Sequence, residues 1–103
     1  MSETTSAHPP VPRIAVMAQL DEAMVKAAFA RVNAGAPSSQ APQREVVAVD
    51  MHLSFMRSAL APLSASAQVV GGGKTMVFCE AQLRNTEGEV VAQAMGTYRA
   101  QSA

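Results

Sequence analysis

From Arg13 onward, apolar residues recur at three- and four-residue steps: Ile14, Met17, Leu20, Met24, Ala27, Ala28 and Val32, with Gln19, Glu22, Lys26 and Arg31 between them. That period predicts one helix of about twenty residues, roughly 30 Å long. Alanines at 15, 18, 23, 27, 28 and 30 favour the same conformation, and Asn33 with Gly35 supplies a stop. A loop of Ala, Pro, Ser and Gln fills 34–43, and after it the period changes to two. Val47, Val49, Met51, Leu53 and Phe55 alternate with Val46, Ala48, Asp50, His52 and Ser54, which predicts a strand of about ten residues. Alternation continues over 64–70, and Gly71, Gly72 and Gly73 follow as a turn. A third strand over 75–84, a turn at Asn85-Thr86-Glu87-Gly88 and a fourth strand over 90–99 complete the chain. One long helix followed by an antiparallel meander is an α+β layout, with the sheet packed on the helix.

Residues 1–12 are polar and then proline-rich, so they read as a flexible arm. Residues 13–103 form one domain interrupted by the loop at 34–44. Composition narrows the function classes. Eight basic and eight acidic residues cancel, so no bulk attraction to nucleic acid or an anionic membrane is expected. With 49% hydrophobic and 16% charged residues, the chain is too apolar to be disordered overall. Alanine occupies 20 positions and aromatics only 4%, so the core must be built from small side chains and methionine. A single cysteine excludes an internal disulfide and a Cys-based metal cluster. No apolar run follows a basic start, and no stretch approaches membrane-spanning length. A cytoplasmic protein with no cofactor, no metal, no nucleic-acid partner and no membrane is the expectation.

The candidates for chemistry are few. Asp21 borders the apolar stripe of the helix, where a carboxylate is partly removed from water and available as a base; the pattern by itself favours the solvated side of the helix, beside Glu22. Gly71-Gly72-Gly73-Lys74 lacks the G-x-x-x-x-G-K-[ST] spacing and precedes a strand, so it is a hairpin turn and no nucleotide loop. Asp50 and His52 share a strand face but lie about 6–7 Å apart, too far for a direct bond, and His52 reads as a surface or interface residue. Cys79 alternates with Val77 and Ala81, as a small buried apolar residue does.

These segments together carry a resemblance. VAVDMHLSFMRSA (47–59) is similar to the strand after the central helix in hot-dog-fold acyl-CoA thioesterases of the PaaI-like group. VVGGGKTMVFCEAQLRNTEGEVVAQAMGTYR (69–99) resembles that family's three closing strands, and AVMAQLDEAMVKAA (15–28) its L-x-D-x-A helix. The resemblance implies a helix wrapped by a curved antiparallel sheet, assembled as a homodimer or dimer of dimers through the sheet edge. It implies hydrolysis of a coenzyme A thioester without a metal, by a helix-borne carboxylate acting as base or nucleophile. Asp21 matches that acid. A backbone amide at the helix start would polarise the thioester oxygen, which falls to Arg13 and Ile14. Met24 would border the acyl pocket, and Arg57, Gly72, Gly73 and Lys74 would lie at the coenzyme A end.

The chain also departs from the pattern. The family's H-G-G turn, nine residues before the acid, falls here on Pro12, and the site-facing Ser or Thr of the V-x-V-D strand is Ala48. The resemblance thus describes a hot-dog domain whose first strand is lost or replaced. The alternative it leaves open is a non-catalytic remnant that serves as an assembly or acyl-binding module.

Overall fold

The computed structural model describes residues 9–35 and 43–101. Helix α1 spans Arg13–Val32. Four strands follow: β1 Val46–Phe55, β2 Ser64–Gly72, β3 Met76–Arg84 and β4 Val90–Ala100. All pairings are antiparallel, and the order across the sheet is β1-β4-β3-β2. The α+β class and the helix-on-sheet architecture are those the pattern predicts. Among the described residues, β1 and β2 are the two edges.

Helix α1 opens after Pro12, whose fixed φ of −61° suits the boundary and whose carbonyl accepts the amides of Ala15 and Val16. Asn33 ends it. Its side-chain amide donates to the Phe29 carbonyl at 2.9 Å, and its Oδ1 accepts the Arg44 amide at 2.9 Å, tying the helix end to the approach to β1. Gly35, with φ +82°, then turns the chain as only glycine does readily.

One layer of side chains lies between helix and sheet. Val16, Leu20, Met24, Ala28 and Val32 come down from α1 onto Val77, Cys79, Ala81 and Leu83 of β3 and Ala92, Ala94, Tyr98 and Ala100 of β4. Burying one Leu, Val or Met in full is worth about 1.5–3 kcal/mol, so the larger members carry this alanine-rich core. The buried stripe corrects the expected one. It runs through Val16 at four-residue steps, while Ile14 (76% exposed) and Met17 (42% exposed) lie beside it. The stripe is narrow because the sheet meets the helix through small residues.

Two strands also differ from simple alternation. In β1, Ala48 faces Tyr98 and Asp50 faces Thr97, which leaves Val49 as an extra, unpaired residue. The bulge reverses the phase: Val46 and Ala48 face the helix along with Met51, Leu53 and Phe55. In β2, Val70 is the extra residue, and Gly71 and Gly72 continue the strand where the pattern predicts a turn. Gly72 has φ +95°, and a Cβ there would collide with the Met76 carbonyl oxygen. Glycine is required at that point of the hairpin. Of the arm at 1–12, residues 1–8 lie outside the described ones. The Pro9 carbonyl and Val11 amide bond to Ala61 and Ala59, each at 2.8 Å, just ahead of β2.

Candidate active site

Helix α1 presents three faces in succession around its axis. Beside the buried stripe lies Ile14, Met17, Ala18 and Asp21, at i, i+3, i+4 and i+7. With Ala48 and Met51 of β1 these residues line a groove of about 310 Å³. Asp21 is its one ionisable side chain. On the other flank, Gln19, Glu22, Ala23 and Lys26 face Ala65, Ser66 and Ala67 of β2 in a polar groove.

Asp21 is held from below. The Tyr98 hydroxyl donates to Asp21 Oδ1 at 2.7 Å. Tyr98 is 0% exposed and sits on the inward parity of β4, opposite Ala48. Its ring lies against Gly96, where an added Cβ would come within 2.9 Å of Tyr98 Cε1 and 3.2 Å of Met24 Cε. Burial above all, then the bond to Asp21 and that residue's charge, push the phenol's pKa far above its usual value. These causes all favour the protonated phenol, the form that donates to Asp21. Sequence patterning does not single out Tyr98, although it is the chain's one tyrosine and lies on the core parity of the last strand.

The remaining expected residues fall in three places. The amides of Arg13 and Ile14 open the first turn of α1, where no residue precedes them to complete a helical bond. Arg57 lies at that same end, in a cleft with Val11, Arg13, Val16, Phe55 and Ala59, and pairs loosely with Glu89 at 3.9 Å. Gly72, Gly73 and Lys74 lie at the opposite end, by the helix C-terminus. There Lys74 Nζ donates to the Ala34 carbonyl at 2.6 Å, Arg31 to the Gly72 carbonyl at 3.0 Å and Arg44 to the Lys74 carbonyl at 3.2 Å. Arg57 and Lys74 are thus not brought together within one chain, being separated by a helix of roughly 30 Å. Arg31 and Arg44, which sequence reasoning misses, join Lys74 in a cationic turn. Met24 is fully buried against Gly96, one turn along from Asp21, and Met17 and Met51 are the methionines of the groove.

His52 and Asp50 lie on the outer face of the sheet, with Val70, Phe78 and Met95. Cys79 is 1% exposed, and burial pushes its thiol's pKa up, with Arg31 opposing the shift. It has no access to a substrate. Among the described residues, no three His, Cys, Asp or Glu side chains are grouped to hold a metal ion, and no helix is long and apolar enough to cross a membrane.

A helix laid along a four-stranded antiparallel sheet is the architecture of a hot-dog domain. The model of the thioesterase superfamily matches residues 15–92, and the chain belongs to that superfamily. No curated protein matches its sequence. Solved structures share the fold. The PaaI protein of the E. coli phenylacetic acid degradation operon superposes with a TM-score of 0.74 at 22% identity over 96% of this chain. A Bacillus halodurans protein crystallised with CoA gives 0.71 at 22% over 89%. A Shewanella oneidensis protein related to the thioesterase superfamily gives 0.73 at 19% over 89%. The chain spans 65%, 56% and 64% of those three proteins' own lengths, so each of them is longer.

Proposed function

We propose that this chain hydrolyses a coenzyme A thioester, with Asp21 as the reacting carboxylate. The observation that carries the reading is a single carboxylate at the wall of an otherwise apolar groove, anchored through one oxygen by a buried phenol. The groove suits an uncharged, apolar acyl group. The cationic turn of Arg31, Arg44 and Lys74 lies about 16 Å further along the helix axis and suits the phosphates of the coenzyme. The CoA named for the Bacillus halodurans neighbour supports the substrate class.

Acting as base, Asp21 takes a proton from water while the water oxygen adds to the thioester carbonyl. The tetrahedral oxyanion collapses, the C–S bond breaks, and the proton passes from Asp21 to the departing thiolate. Acting as nucleophile, Asp21 attacks the carbonyl and expels the thiolate, and water then opens the mixed anhydride. Both routes need a donor for the oxyanion. The amides of Arg13 and Ile14 lie roughly 10–12 Å from Asp21 along the axis, too far to reach the same carbonyl. A second copy paired along the β1 edge would have to supply that donor, and the exposed Ile14 and Val49 beside that edge favour such a contact. The reading is therefore a homodimer or dimer of dimers, and neither route as written calls on a cofactor.

Thiol release from hexanoyl-CoA and benzoyl-CoA tests it. Asp21→Asn keeps the shape but can neither take a proton nor attack, and a loss of at least about a hundredfold in kcat is expected. Equal turnover in the Asn variant sinks the assignment. Because β2 has no partner on its outer side among the described residues, a second reading stands beside it, an assembly module that binds acyl groups without cleaving them. Acyl-CoA bound at equilibrium with no thiol released would select it.

A further inference from the structure

Asp21 and Tyr98 are 77 residues apart in the chain, yet they make the one hydrogen bond between side chains of helix and sheet among the described residues. Three features make the phenol a rigid support. Its ring is wholly buried. It lies on Gly96, where even a methyl group would press on it, and the Met24 thioether packs over the same glycine. Its strand sits in the middle of the sheet, bonded on both sides by β1 and β3. Asp21, by contrast, is half-buried on a helix face and would otherwise turn freely about its χ angles. With Oδ1 occupied by the phenol, Oδ2 is the oxygen left for a water or a carbonyl carbon, and it has no partner among the described residues.

We infer that Tyr98 is the positioning residue of the reaction, fixing the Asp21 carboxylate so that one oxygen, in one orientation, meets the substrate. The inference rests on the assignment of Asp21 as the reacting carboxylate. Tyr98 itself touches no reacting atom. Burial and the bond to Asp21 favour its protonated form, and the chemistry balances without a proton from it. Its contribution is orientation, and an error of about an ångström at a reacting group can cost about a hundredfold in rate.

Tyr98→Phe is the test, since it removes the hydroxyl and keeps the ring on Gly96. The purified full chain is assayed by thiol release from hexanoyl-CoA, with kcat and KM separated and the melting temperature measured alongside. The expected result is a kcat lower by about ten- to a hundredfold, a KM within about threefold of wild type and cooperative melting retained. The same substitution in an Asp21→Asn background should change the residual rate by less than about twofold, because there is no carboxylate left to orient. Normal kcat in Tyr98→Phe, with Asp21→Asn inactive, overturns the positioning role and leaves Asp21 standing. An additive loss in the double variant also overturns it, because Tyr98 would then act independently of the carboxylate. Full activity in Asp21→Asn, or no thiol release by the wild type, overturns the reading beneath it.

Discussion

Asp21 and Glu22 are neighbours in the chain, both acids, and their surroundings share nothing. They leave the helix about 100° apart, so one turns toward β1 and the other toward β2. Asp21 enters a groove of methionine, isoleucine and alanine and meets a buried phenol. Glu22 is exposed among Gln19, Lys26 and Ser66. The carboxyl group is the same; its dielectric, its mobility and its partner differ. On this helix the flank a residue occupies decides its surroundings, and a shift of one position exchanges a supported carboxylate for a solvated one.

The largest expected effect sets the two acids directly against each other. Asp21→Asn should lower turnover by two or more orders of magnitude, and Glu22→Gln should leave it within about twofold, both measured by thiol release. A comparable loss at Glu22 would break the comparison. Next comes the support beneath Asp21. Gly96→Ala forces a methyl group toward Tyr98 and Met24 and should cost about 1–3 kcal/mol in urea unfolding. Gly73→Ala, where nothing lies within 4 Å of an added Cβ, should change stability by less than about 0.5 kcal/mol. Equal losses at the two glycines would show that the ring is not tightly held. The smallest effect separates the walls of the two grooves. Met17→Asp places a charge where an apolar acyl group is expected and should raise KM about five- to tenfold, for an apolar contact worth about 1–1.5 kcal/mol. Gln19→Asp, on the polar side, should leave KM unchanged.

Much of this arrangement is legible in the amino-acid sequence. About twenty residues of helical period from Arg13, with Asn33 and Gly35 as the stop, match α1, and the strands fall within a residue or two of their predicted limits. Asp21 borders the apolar stripe, but what separates it from Glu22 is the resemblance of 15–28 to an L-x-D-x-A helix. The phase of β1 is hidden because Val46, Val47 and Val49 are all apolar, so an inserted residue leaves no mark on the pattern. Ile14 and Met17 look like core residues because periodicity reports the width of an apolar face, not which part of it the sheet will cover. The Tyr98–Asp21 bond is invisible for a deeper reason. It joins the first element to the last, and local spacing carries no information about contacts closed by tertiary packing. Arg31 and Arg44 are missed likewise, since a cation that caps a backbone carbonyl reads in sequence as an ordinary surface charge.

The bulge at Val49 also bears on how this gene can change. In a regular strand, losing one codon carries every later side chain to the opposite face, and the protein is lost with it. At Val49 the residue to be lost is the one without a partner on β4. Its deletion would restore plain alternation, with Val46 and Ala48 still facing the helix and Asp50 and His52 still facing out. The same holds for Val70 in β2. Each edge strand thus contains one site where an in-frame deletion keeps the inside and the outside of the sheet as they were, so length variation among descendants of this sequence should collect at these two valines.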